Sequence, residues 1–127
     1  MKLLAIAVAA FLANAVPLAL DATAAEPAPK TVAALYQEKA ALAGKIIKTQ
    51  GNVVKVNNGI MGRNFVHVQD GSGDAKAGTN DLIVTSKQTV KIGDSVSISG
   101  LVVLNRDFGS GYAYPLLIED ATITAKK

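Results

Sequence analysis

Cysteine is missing from all 127 residues, which excludes disulfides, thiolate metal sites and thiol catalysis together. A small domain without disulfides must be held by its hydrophobic core alone. Histidine is nearly absent as well. His67 is the only one, and with no thiol and no second imidazole it cannot build a zinc site by itself. No block of like charge occurs either. Lys and Arg number 13 against 10 Asp and Glu, a net +3 spread along the chain. Strong polyanion binders carry a denser basic stripe, so this charge permits an acidic partner and does not demand one. No nucleophile stands with a base and an orienting group, so the chain reads as a non-enzyme with no cofactor.

Long apolar runs are confined to the start. Leu3 to Leu20 is apolar, Lys2 supplies a one-charge n-region, and Ala22-Thr23-Ala24 gives the small-x-small pattern a signal peptidase accepts. Residues 1–25 therefore read as a signal peptide, cleaved after Ala24 or Ala25. Asn14 and Pro17 inside the run count against an uncleaved spanning helix. The expected location is periplasmic or secreted, with no membrane insertion once the leader is gone. Removing Lys2 and Asp21 with it leaves the charge at +3. About 100 residues remain, enough for one small domain. Residues 26–30, Glu-Pro-Ala-Pro-Lys, read as a short stiff linker, and 31–127 as a single domain.

Thr31 to Ala43 has helical spacing. Thr31 can cap, Val32, Leu35, Lys39 and Leu42 recur on one face, several alanines favour helix, and Gly44 ends it. One amphipathic helix of about three turns is expected. In the long strand that follows, Ile47, Thr49, Gly51 and Val53 share a face, whereas Val54 and Val56 belong to the other. That phase switch predicts a bulge just past Gly51. Asn57-Asn58-Gly59 predicts a turn. The second strand covers about Asn64 to Gln69, with Val66 and Val68 inward and Phe65, His67 and Gln69 opposite. After the turn Asp70-Gly71-Ser72-Gly73, strands are expected at Asp81 to Thr85, at Val96 to Leu104 and at Pro115 to Thr124. Asp120 breaks the alternation of the last, where a bulge is expected. Helix plus five strands makes a compact all-β, β-rich barrel.

Gly44-Lys45-x-Ile47-x-Thr49-x-Gly51-x-Val53, followed by Phe65-x-x-Val68-x-Asp70-Gly71-Ser72-Gly73, resembles the OB-fold of the tRNA-anticodon-binding type. With Asn58 to His67 and Asp107 to Tyr112 added, the mature chain is similar to a group of small exported bacterial OB-fold proteins. The resemblance implies a five-stranded OB-fold barrel preceded by one N-terminal amphipathic helix. It implies nucleic-acid binding by fold analogy, and a link to periplasmic nitrite reduction that some of the group have. One departure is clear. OB domains place a helix between strands three and four, and Ser86 to Asp94 has room only for a turn. The N-terminal helix is expected to close the barrel bottom in its place.

In an OB barrel the loops after strands one and four flank the ligand face of strands two and three. Here those loops hold Met61, Arg63, Arg106, Phe108, Tyr112 and Tyr114, and strand two adds Phe65, His67 and Gln69. Four of the five aromatics outside the leader fall in this region. Rings beside arginines suit base stacking or peptide docking; equally, the rings can simply plug the barrel end. Three functional readings follow. The first is an envelope protein or peptide partner in a periplasmic, respiratory assembly. The second is sequence-tolerant single-stranded nucleic acid, with Lys45, Lys48 and Lys55 on phosphates. The third is a small ligand or metal, using His67 with Met61 or the acidic loop. That loop, Asp70-x-Ser72-x-Asp74, is similar to the start of a calcium loop, but Ala75 replaces its glycine and Asp81 its final glutamate. The oligomeric state is open, because an exposed barrel edge can pair in trans.

Overall fold

The computed structural model describes residues 28–126, so the signal peptide expected over 1–25 lies outside the described residues. The elements are β1 (Pro29–Lys30), α1 (Val32–Gln37), α2 (Lys39–Leu42), β2 (Ile46–Ile60), β3 (Arg63–Gln69), β4 (Leu82–Ser86), β5 (Ser95–Asp107) and β6 (Ala113–Ala125). This is an all-β fold with two short helices. One sheet runs β1-β2-β3-β4-β6-β5, and β2 also pairs with β5, so the sheet closes on itself.

The closure depends on β2. Its first half, Ile46 to Asn52, pairs antiparallel with β5, and from Asn52 onward it pairs with β3. One strand can serve two neighbours only by bending sharply. Gly51 sits at that bend, where an added Cβ would lie 2.7 Å from both the Gln69 carbonyl oxygen and Val68 Cγ1. The register then slips between Val53 and Lys55, which is the bulge the phase switch predicts. A second slip, between Ser99 and Leu101 opposite β6, coincides with Asp120 at φ 51°. Gly100 faces that bulge, and a Cβ there would be 2.6 Å from Ile118 Cγ2.

The β2–β3 connection corrects the sequence reading. Asn57-Asn58-Gly59 does not form the turn; β2 continues through it to Ile60 with a register slip between Asn57 and Ile60. The turn is Met61-Gly62, both at positive φ (52° and 75°), the signature of a tight primed hairpin turn. The Asn-Gly cue marked an irregularity of the ladder, and Asn64 Oδ1 satisfies it by accepting from the Gly59 amide at 2.9 Å. The β5–β6 hairpin is likewise longer than expected, so its loop shrinks to residues 108–112.

Where one continuous helix is expected over 31–43, there are two short ones broken at Glu38 (φ −104°, ψ 10°). Thr31 Oγ1 accepts from the Ala34 amide at 3.0 Å, as an N-cap should. Val32 and Leu35 are fully buried among the inward residues of the sheet, such as Val66, Val84 and Ile118. Burying a leucine or valine completely contributes roughly 1.5–3 kcal/mol. Pro29 and Lys30, read as the end of a linker, pair in parallel with Lys48 and Thr49, and buried Thr49 donates its hydroxyl to the Lys30 carbonyl at 2.7 Å.

The polar turn after β3 ties the helix down. Asp70 Oδ2 accepts from the Val32 amide and Ser72 Oγ from the Ala33 amide, each at 2.9 Å. These are two of the unpaired N–H groups that open any helix. Burial acts to raise the Asp70 pKa, but bonds from the Ser72 hydroxyl and from the Val32 and Ser72 amides outweigh it, and the net shift is downward.

Candidate binding face

A second hydrophobic cluster lies on the outer surface of the sheet. Val66, Val84 and Ile118 form one inward row across β3, β4 and β6. Phe65, Ile83 and Leu117 alternate with them and point the other way, yet all three are buried. What covers them is the β2–β3 and β5–β6 hairpins, through Ile60, Phe108, Tyr112 and Tyr114. The Phe108 ring meets Phe65 edge-on, with centroids 5.3 Å apart and planes at 85°. Tyr112 and Tyr114 lie 5.5 and 5.9 Å from Phe65. Edge-to-face pairs at such spacing add about 0.5–1.5 kcal/mol beyond area burial.

Both arginines expected at this face reach it. The Cζ atoms of Arg106 and Arg63 lie 4.4 and 4.9 Å from the Phe108 ring centroid, within cation–π range. Both also meet one carboxylate. Arg106 Nη1 donates to Glu119 Oε1 at 3.2 Å, and Arg63 Nη2 lies 3.1 Å from Glu119 Oε2. Arg63 Nη1 donates to the Met61 carbonyl at 3.3 Å. The satisfaction is incomplete: Arg63 Nε is buried without a hydrogen-bond partner, and Glu119 Oε2 meets its arginine only as an ion contact. Beside Arg106, a shallow concavity of ≈ 270 Å³ is lined by Asp107, Tyr114 and Pro115 among others. Burial pushes the Tyr114 hydroxyl pKa up, with Tyr112 adding to it.

The expected site residues therefore divide into three groups. Arg63, Phe65, Arg106, Phe108, Tyr112 and Tyr114 form one cluster, but Phe65 is 0% exposed and supports the others from beneath without a free face. Met61 sits exposed at the hairpin turn. His67 and Gln69 continue along β3 and are held by Asp81: His67 Nδ1 is 2.7 Å from Asp81 Oδ2, and Gln69 Nε2 donates to Oδ1 at 3.0 Å. Tyr36 donates to the Asp81 carbonyl at 2.6 Å, and burial followed by the Asp81 charge raises its pKa.

Glu119 is absent from the expected set, and Asp81 enters it only as the last position of the acidic loop. Glu119 ends an apolar run and shares the outward phase of Leu117, which is the one signal that could have found it. Lys55 pairs across from His67 and so shares the outer face; Lys48 instead pairs with Ser99 on β5. The acidic loop does not converge on a cation position, because Asp70 points at the helix and Asp81 at His67. Among the described residues no group of three or more His, Asp or Glu is placed to hold a metal. Nor is any helix among them long and apolar enough to cross a membrane. A roomier hollow of ≈ 490 Å³ lies over β2, β5 and β6, lined by Lys48, Gln50, Ser97, Ser99, Thr122 and Thr124 among others. It contains none of the aromatic or arginine residues above.

No protein-family model matches the chain, and no curated protein matches it. Among solved structures, it is similar to a chain from Leishmania major Friedlin described as an aspartyl-tRNA synthetase. The TM-score is 0.55 at 12% identity, and the match covers 89% of this chain and 24% of that one. A likeness at this identity concerns the fold alone, and this chain spans only about a quarter of the solved one's length (24%).

Proposed function

We propose that this chain is an exported OB-fold binding module whose outer β3 face docks a protein or peptide partner in the cell envelope. The observation that carries the reading is the placing of the rings. Among the described residues only one ring, the partly buried Tyr36, packs against the core inside the sheet, while four rings and two arginines gather on the outside, over strands and hairpins that flank the ligand face in OB barrels. Aromatic and arginine side chains are the residues that dominate protein contacts. The charges around them are mixed: Arg63, Arg106 and Lys55 share the face or its rim with Glu119, Asp81 and Asp107. A mixed surface suits a peptide better than a run of phosphates.

Export is inferred from the leader, and a β-barrel of the OB type from the closed sheet order. Expression in a Gram-negative host tests the first: mass spectrometry should find the chain beginning at Ala25 or Glu26, and an intact leader would refute export. The docking reading is tested by selecting peptides against the leaderless protein. Binders should be enriched in acidic and aromatic residues and lose at least about tenfold in affinity on Arg106→Ala or Phe108→Ala, roughly 1.4 kcal/mol. Binders indifferent to both variants would sink it.

Single-stranded nucleic acid is the second reading. The likeness to a chain described as an aspartyl-tRNA synthetase favours it, as does the aromatic content of the face. It requires binding to a labelled oligonucleotide that weakens steeply with salt and fails on Tyr112→Ala.

A further inference from the structure

Glu119 has a position that stability alone does not demand. It projects outward from β6 into the aromatic cluster, is 7% exposed, and stands between two guanidiniums. A buried ion cluster of this kind is often no more stable than a well-packed apolar one. Its definite effect is on charge. Two arginines beside Phe108 would present two positive charges; Glu119 reduces the net to one. Arg106 spends Nη1 on Glu119 and keeps 40% of its side chain exposed. Its Nε and Nη2 have no protein partner among the described residues. That leaves one guanidinium edge, the geometry that takes a single carboxylate through two parallel hydrogen bonds. The other cationic partner, Arg63, is turned inward and held by Glu119 and the Met61 carbonyl.

We infer that Glu119 is an internal counter-anion that sets the specificity of this face, limiting it to one carboxylate of an acidic peptide and rejecting polyanions. The inference rests on the docking reading above and names the chemistry of the anchor. Glu119 itself shows the fit, since it is a carboxylate already held between these two arginines. A polyanion gains affinity by meeting several cations at once. Here Glu119, Asp81 and Asp107 oppose each additional phosphate. Glu119 is a positioning residue: it orients Arg63 and Arg106 and does not touch the partner.

The test compares wild type with Glu119→Gln by fluorescence anisotropy. The probes are a labelled peptide of Phe, Gly and Ser residues carrying a single Glu, and a labelled oligo-dT, each at low and at physiological salt. Wild type should prefer the peptide. Glu119→Gln, with one more net charge, should bind oligo-dT about tenfold more tightly at low salt, with a salt slope steeper by about 0.7, and should lose most of the preference. Peptide binding with an unchanged preference in Glu119→Gln would overturn the inference and leave the docking reading standing. Oligo-dT binding acquired by Glu119→Gln, when wild type binds neither probe, would overturn the inference together with the docking reading on which it rests. No binding of either probe by either protein would overturn both. Should near-UV circular dichroism show Glu119→Gln misfolded, the pair Arg63→Gln/Glu119→Gln removes one charge of each sign. It should keep the wild-type preference, and a shift toward oligo-dT would overturn the inference.

Discussion

Inside the closed sheet the buried side chains are valine, leucine, isoleucine and alanine; outside it they are Phe65, Ile83 and Leu117 under a cover of further rings. Both clusters exclude water, but by different means. The inner one is sealed by the closure of β2 onto β5 and by α1, whose Val32 and Leu35 enter it. The outer one is sealed only by two hairpins, one of them a five-residue loop with Gly109, Ser110 and Gly111 all at positive φ. Aliphatic side chains suit the first because they interdigitate without polar atoms. Rings suit the second because they cover much area with few rotatable bonds and tolerate guanidiniums against their faces. The lesson is that a small domain can carry two cores, and only the outer one is within reach of a partner.

Phe65 tests that division most severely, because it belongs to the outer cluster and is as buried as any residue of the inner one. Phe65→Ala should cost about 3–5 kcal/mol in urea unfolding, and a cost below about 1 kcal/mol would mean the hairpins collapse onto the gap. Leu35→Ala in the inner core should cost about 2–5 kcal/mol while leaving partner affinity of the folded fraction unchanged. The Asp70 cap, next in size, joins the inner core to pH. Its folded pKa lies below the ordinary 3.8, so its contribution is complete above that value and is lost as pH falls through the folded one. Asp70→Asn should therefore be less stable than wild type by roughly 1 kcal/mol at neutral pH, with the two stability curves converging in acid. Parallel curves would show that the charge is not what matters. Phe108→Ala removes a partly buried ring and with it about 0.5–1.5 kcal/mol of edge-to-face interaction beyond the area it covers; it should cost less stability than Phe65→Ala, yet be the most damaging to partner binding.

Much of this was legible in the residues, for local reasons. The phase switch around Val54 and the break at Asp120 are violations of period two, and each appears as a register slip. The grouping of Arg63, Arg106, Phe108, Tyr112 and Tyr114 followed from the expectation that two loops, after the first and fourth strands of the barrel, lie side by side. What escaped was non-local or degenerate. Nothing adjacent to Asp70 indicates that its carboxylate will cap a helix 38 residues earlier. Asn57-Asn58-Gly59 satisfies a turn and a bulge equally well, and only the pairing decides. Met61 at φ 52° is an unusual residue for a primed turn, so the true hairpin tip carried a weaker cue than the false one. Glu119 stayed hidden because an acidic residue in a strand ordinarily faces water, and its two arginines come from different hairpins.

The double pairing of β2 also bears on kinetics. Ile46 to Asn52 must wait for β5, about fifty residues later (Gln50 meets Ser97), and β4 must wait for β6 (Val84 meets Ile118). Contacts of such sequence separation slow folding, because loop closure precedes any gain from pairing. During synthesis the first half of β2 lacks its β5 partner, and β4 its second neighbour β6, until the last two strands have emerged. If the chain is exported as proposed above, that delay would have a use, since a polypeptide whose sheet is still unlatched can be threaded across a membrane and lock once its last two strands have followed.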